Sequence, residues 1–98
     1  MSGANYRRGA RAEKKTRAWL EAQGFTVIES RGSHGAVDLV ALNADTVRVI
    51  QVKSGRRLGP KEHAAVVNDL LAVKIPTCGT RELITWTRYA RAPAVEVV

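Results

Sequence analysis

The stretch Gly35–Ser54, GAVDLVALNADTVRVIQVKS, constrains the fold of this chain more than any other. Two β-rich runs flank Asn43–Ala44–Asp45, a turn-forming triplet, so the segment predicts a hairpin. Its first strand, around Val37–Leu42, carries a single carboxylate, Asp38. Its second, around Val47–Lys53, ends in Gln51, Val52 and Lys53. Side chains alternate across a strand, so Gln51 and Lys53 share one face and Val52 takes the other. Antiparallel pairing would bring that face beside Asp38. A carboxylate, an amide oxygen and an ammonium gathered there read either as a reactive cluster or as a sheet edge with polar ends.

The rest of the chain supplies elements on both sides of this hairpin. Residues 1–4 should fray. Tyr6 to Gln23 is rich in Ala, Arg, Lys, Glu and Leu, which predicts a helix stopped by Gly24. Glu13 and Leu20 lie seven apart, at nearly the same angle, with Thr16 between them and Trp19 adjoining. The docking face of this helix therefore carries an acid, and an acid turned toward the body needs a partner. A nearby Arg or Lys would make an ordinary salt bridge; a metal ion or its water shell is the alternative. Phe25–Arg31 reads as a first strand, followed by a glycine-flanked loop, Arg31–Gly35, holding Ser33 and His34.

After the hairpin comes a second basic loop, Gly55–Pro60. Lys61–Lys74 should form a second helix, with Ala64, Ala65, Val67, Leu70, Leu71 and Val73 mostly inward and Pro76 and Gly79 ending it. Arg81–Arg88 and Ala94–Val98 read as a fourth and a short fifth strand. The order is αβββαβ(β). It predicts an α/β (α+β) architecture with a central mixed β-sheet flanked by helices. The near-continuous apolar runs of the hairpin predict a sheet covered on both faces at least in its middle.

Charge adds a constraint on partners. Sixteen Lys and Arg against nine Asp and Glu leave +7 on 98 residues. Arg7, Arg8, Arg11, Lys14, Lys15 and Arg17 all fall before residue 20, a concentration suited to a phosphate backbone or to a solvated basic helix. Residues 1–98 are expected to form one domain, small enough for oligomerisation to help its stability. Cys78 is alone, which allows no internal disulfide and no zinc site with two scattered His. With a polar start and no apolar run of membrane length, a cytoplasmic location is expected.

Together, RRGARAEKKTRAWLEAQGFTVIESRGSHGAVDLVAL and VRVIQVKSG resemble the PD-(D/E)xK nuclease superfamily, and within it the archaeal-type Holliday junction resolvases, also found in phages. The resemblance covers most of residues 7–55. It implies a restriction-endonuclease-like core and a metal-dependent, structure-specific DNA endonuclease that cuts four-way junctions. It also implies a homodimer, since two symmetric cuts need two sites. By its positions Glu13, Asp38, Gln51 and the Val52 carbonyl would hold Mg2+, or Mn2+. Lys53 would act on the attacking water or the phosphate, and Ser33 would lie near the scissile phosphate.

The physical requirements agree with that reading. Phosphodiester hydrolysis needs a hard cation that polarises a phosphoryl oxygen and acidifies water, and such cations take oxygen ligands. A lysine beside them stabilises the transition state. Gln51 departs from the family pattern, where an acid is usual: the oxygen remains and a negative charge is lost. Two further readings follow: a DNA-binding module with a degenerate nuclease site, and a nuclease acting on linear duplex. Arg7, Arg8, Arg11, Lys14, Lys15, Arg31, Ser33, His34, Arg56 and Arg57 are the candidates for DNA contact, in a pattern that suits backbone recognition over base reading. His63 is expected at the surface. Trp19, Trp86 and Tyr89 are expected in the core or a subunit interface.

Overall fold

A computed structural model of the chain describes residues 3–30, 35–56 and 58–98, with side chains from residue 9 onward. The elements run α1 (Gly3–Glu21), β1 (Thr26–Glu29), β2 (Leu39–Leu42), β3 (Val47–Ser54), α2 (Pro60–Leu71), β4 (Gly79–Trp86) and β5 (Ala94–Val97). The five strands form one sheet in the order β1-β2-β3-β4-β5. β3 and β4 are parallel and the other neighbours antiparallel, so the sheet is mixed. A parallel pair needs a crossover, and α2 supplies it.

Local chemistry explains the element ends. α1 starts at Gly3, ahead of the expected Tyr6, so residues 3 and 4 are helical where fraying was expected. It ends in a left-handed Gly24 with φ 92. The Phe25 N–H donates to the Leu20 carbonyl at 3.2 Å and the Gly24 N–H to Glu21 at 3.0 Å, which is the Schellman pattern. Across the hairpin turn the Asn43 side-chain oxygen accepts from the Asp45 and Thr46 N–H groups, both at 2.9 Å. An asparagine that bonds its own downstream backbone fixes such a turn.

α1 lies across β1, β2 and β3, and the main core forms beneath it. Leu20, Leu39, Ala41, Ile50 and Ile84 are fully buried there, with Ala12, Val27, Val52 and Trp86 nearly so and Trp19 and Phe25 packed against them. Two polar contacts cross this layer. The Trp86 Nε1–H donates to Thr16 Oγ1 at 2.7 Å, and the Thr16 hydroxyl donates to the Ala12 carbonyl at 2.7 Å. Arg48 forks onto the Glu82 carboxylate at 2.7 and 2.8 Å, with its guanidinium 4.9 Å from the centre of the Phe25 ring. Both partners of that pair are largely out of water.

The opposite face differs from expectation. α2 ends at Leu71, short of the expected Lys74, and packs mainly on β4, with His63 reaching Glu96 on β5. Of its apolar residues Leu70 is buried, Val66 and Val67 are half-buried, and Ala64, Ala65 and Leu71 are exposed. At about 1.5 Å per residue the helix is too short to roof the whole sheet. The expected cover on both faces therefore holds in the middle of the sheet, where Val49 on β3 and Leu83 on β4 are buried, and Ile28 on β1 stays 55% exposed. Of the two settings expected for Tyr89, core or subunit interface, the core is not the one it takes: it sits in a turn after β4 with φ 65 and is 89% exposed. Trp19 and Trp86 do join the core.

Candidate active site

Asp38 stands one residue ahead of β2, where the β2–β3 ladder runs out. Its N–H donates to the Ile50 carbonyl at 2.8 Å. The next donor along that edge of β3, the Val52 N–H, is then taken by the Asp38 carboxylate Oδ2 at 2.9 Å. A side-chain oxygen thus fills the place of a backbone acceptor, which is required because an unpaired N–H at this depth is costly. The expected strand from Val37 accordingly starts at Leu39. Burial pushes the Asp38 carboxyl above its usual range, and the Val52 N–H and the Lys53 ammonium oppose that rise.

β3 divides its side chains cleanly. Ile50 and Val52 enter the core under α1, whereas Gln51 and Lys53 are half-buried on the other face. Across the parallel pair Gln51 stands beside Leu83 and Lys53 beside Thr85. Within a strand residue the N–H and C=O point to the same side. The Val52 carbonyl therefore faces the β2 side, just past the last paired residues. Gly55, with φ 104, turns the chain away immediately after Ser54.

Glu13 reaches the same end of the sheet from α1, flanked on its helix by the buried Ala12 and Thr16. It is half-buried, and burial pushes its carboxyl up, followed by the charges of Asp38 and then Glu29. Arg17 is engaged elsewhere, with Glu21 at 3.2 Å and Glu29 at 2.8 Å. Among the described residues no Arg, Lys or His lies within salt-bridge distance of Glu13. The ordinary salt bridge is thus not what receives this acid among those residues.

Two partly desolvated carboxylates, one of which feels the charge of the other, are an electrostatic setting that a divalent cation relieves. Oxygen donors of the kind such an ion takes are the Glu13 and Asp38 carboxylates, the Gln51 amide and the Val52 carbonyl. Among the described residues no three His, Cys, Asp or Glu side chains form a ready cage. The donor set is poorer in charge than a three-acid site, because Gln51 is neutral.

Of the remaining candidates, Arg11, Lys14, Lys15 and Arg56 are exposed around this end of the fold or along α1. Lys15 lies over the Trp86 ring, 4.8 Å from its centre. Arg7 and Arg8 fall on α1, with side chains outside the description, and Arg31, Ser33, His34 and Arg57 lie outside the described residues. His63 is half-exposed and bonds Glu96 on β5 at 2.8 Å. Sequence reasoning passed over Arg48 and Glu82. Opposite charges, one in each of two largely apolar strands, were the available signal.

A family model described as archaeal Holliday junction resolvase (Hjc) matches residues 4–95. A UPF0102 protein of Beutenbergia cavernae is 30% identical over 92 residues, covering 92% of this chain and 78% of that protein. A second UPF0102 protein, from Desulforapulum autotrophicum, is 37% identical over 74 residues; this match spans 70% of the chain and 61% of the relative. The solved structure of Archaeoglobus fulgidus Hjc, a Holliday junction resolvase, shares the fold with a TM-score of 0.66 at 24% identity, over 91% of this chain and 70% of that one.

Proposed function

Because this chain belongs to the archaeal Holliday junction resolvase (Hjc) family, we propose that it is a metal-dependent endonuclease that cuts four-way DNA junctions by phosphodiester hydrolysis. The observation that carries the reading is the meeting of Glu13, Asp38 and Lys53 at one end of the sheet, their charges acting on one another through a partly buried site. Glu13, Asp38, the Gln51 amide oxygen and the Val52 carbonyl would hold Mg2+ or Mn2+. Such an ion, when bound, polarises a phosphoryl oxygen and lowers the pKa of a water.

The chain's own residues do the rest. Asp38 is locked by the Val52 N–H, so its free lone pairs keep a fixed direction. Lys53 is held by its strand, because its neighbour Val52 is anchored in the core. Its ammonium can hold the attacking water or meet the charge that grows on the phosphate as water oxygen replaces the leaving oxygen on phosphorus. Arg11, Lys14, Lys15 and Arg56 supply sequence-independent contacts to the backbone, with Arg7, Arg8, Arg31, Ser33, His34 and Arg57 as further candidates. A junction requires two symmetric cuts, so a C2 homodimer is part of the proposal. The exposed Leu71 on α2 and Val95 and Val97 on β5 offer apolar surface for it.

The missing charge at Gln51 favours a second reading, a module that binds branched DNA without cutting it. One gel separates the two. A labelled four-way junction and a linear duplex of matching sequence are incubated with Mg2+, Mn2+ or EDTA. Paired nicks in the junction alone, dependent on metal and lost in Lys53→Ala, are the expected result. Binding without cutting under every metal would sink the nuclease and leave the binding module. Equal cutting of the linear duplex would show a different substrate.

A further inference from the structure

A second concave site lies directly behind the first, on the α1 side of the same strand ends. Lys15, Ser54, Gly55, Trp86, Thr87, Arg88 and Tyr89 enclose a cavity of about 410 Å3. Ser54 and Gly55 follow Lys53 in the chain, and Ser54 pairs with Trp86 across β3 and β4. Anything running over these strand ends past Lys53 therefore meets this cavity next.

Its lining is unusual in one respect. Tyr89 occupies the third position of a turn closed by the Ala90 N–H donating to the Thr87 carbonyl at 3.1 Å. Its φ of 65 belongs to a conformation that favours glycine or asparagine and that a bulky side chain rarely adopts. The ring contributes nothing to the core, being 89% exposed. The Arg88 guanidinium lies against one face of it, 5.1 Å from the ring centre, which leaves the other face to solvent. Across the cavity the Lys15 ammonium caps the Trp86 ring. A strained turn that holds an aromatic ring outside the core, against Arg88 and across the cavity from Lys15, points to a binding role.

We propose that this cavity receives one unpaired nucleotide of the DNA substrate, its base stacked on the open face of Tyr89 and its phosphate held by Lys15 and Arg88. Every base offers a π-face, so stacking on an exposed aromatic is indifferent to sequence. Inside an intact duplex those faces are occupied by neighbouring bases. The site therefore selects for positions where a base is free: a bulge, a gap, or a branch point whose central pair has opened. This inference rests on the DNA-directed reading above and gives it a means of telling branched from linear DNA. The volume lies within the range of small-molecule pockets.

The test compares binding of a fluorescent duplex carrying a short unpaired thymidine bulge with binding of the same duplex fully paired. The parent protein should prefer the bulged form. Tyr89→Ala should reduce that preference about tenfold, the scale of one base–aromatic stack. Tyr89→Phe, which keeps the ring and loses the hydroxyl, should restore it. A parent without preference, an unchanged preference in Tyr89→Ala, or no restoration by Tyr89→Phe would each overturn the proposal. The nuclease reading fails separately. A protein that prefers bulged DNA through Tyr89 yet cuts no junction under any metal keeps this site and loses the resolvase activity. One that cuts junctions while its preference ignores Tyr89 does the reverse.

Discussion

Beneath α1 the sheet buries Ala41, Ile50 and Ile84 completely, whereas on the α2 side burial is limited to Val49, Leu83 and Leu70. The same strands serve both faces. The difference lies in the roofs: α1 runs 19 residues across three strands, and α2 runs 12, mainly over β4. In its interior the closed face holds the paired Arg48 and Glu82. The open face keeps Gln51 and Lys53 half-exposed beside a carboxylate that caps the ladder. The contrast teaches a division of labour inside β3. Its even-numbered residues anchor the strand, and that rigidity is what fixes the odd-numbered ones in position.

The largest effect should come from breaking the closed face. Glu82→Ala strands the Arg48 guanidinium in a setting with little water. Removing one partner of such a buried pair costs about 3–5 kcal/mol. On the open side, Leu71→Ala removes a side chain that is 50% exposed and should cost under about 1 kcal/mol. Urea unfolding of both variants checks the pair. Equal losses would mean that α2 is as firmly seated as α1, and the contrast would fall.

The order of elements was legible because each signal is local. Gly24 past an Ala-, Arg- and Leu-rich run, Asn43 between two β-branched runs, and period-2 alternation along Val47–Lys53 all act within a few residues. The candidate site was legible for the same reason: Asp38 and Lys53 belong to the two arms of one hairpin, and Glu13 follows from a helical wheel. What escaped depends on contacts distant in sequence. Arg48 and Glu82 are 34 residues apart and meet only through the parallel crossover. Alternation within α2 shows an apolar stripe but does not say whether the chain covers it, so Ala64, Ala65 and Leu71 were placed inward. Asp38 was placed within a strand because the sequence pattern does not reveal that a side chain takes over from the backbone. Tyr89 was expected in the core or a subunit interface, and the turn holding it keeps it out of the core.

A second prediction sharpens the open face. Gln51→Glu adds a negative charge beside Asp38 without changing the length of the side chain. Ligand charge tunes the affinity of hard-cation sites. The Mg2+ concentration at half-maximal junction cleavage should fall about tenfold. The same substitution should leave urea stability in EDTA unchanged or slightly lower, because a third carboxylate repels the other two. A metal dependence identical to the parent's would remove Gln51 from the set of ligands and leave Glu13, Asp38 and the Val52 carbonyl.

The smallest effect asks whether the open face is strained by its own charges. Burial raises the Asp38 carboxyl above its ordinary value, so the folded state holds that proton more tightly than the unfolded chain does. The two states are equally protonated well below about pH 4. As pH climbs from there through the raised folded value, the unfolded chain ionises first and the native state loses stability. Asp38→Asn removes the charge but retains a side-chain oxygen to accept the Val52 N–H. In EDTA the variant should therefore melt slightly higher than the parent at neutral pH, and the advantage should vanish as pH is lowered below about 4. Glu13→Gln should behave alike, since burial and the Asp38 charge push its carboxyl the same way. A variant that melts lower than the parent at neutral pH would show the Asp38 charge holding the strand ends together, and the carboxylate would then belong to the scaffold.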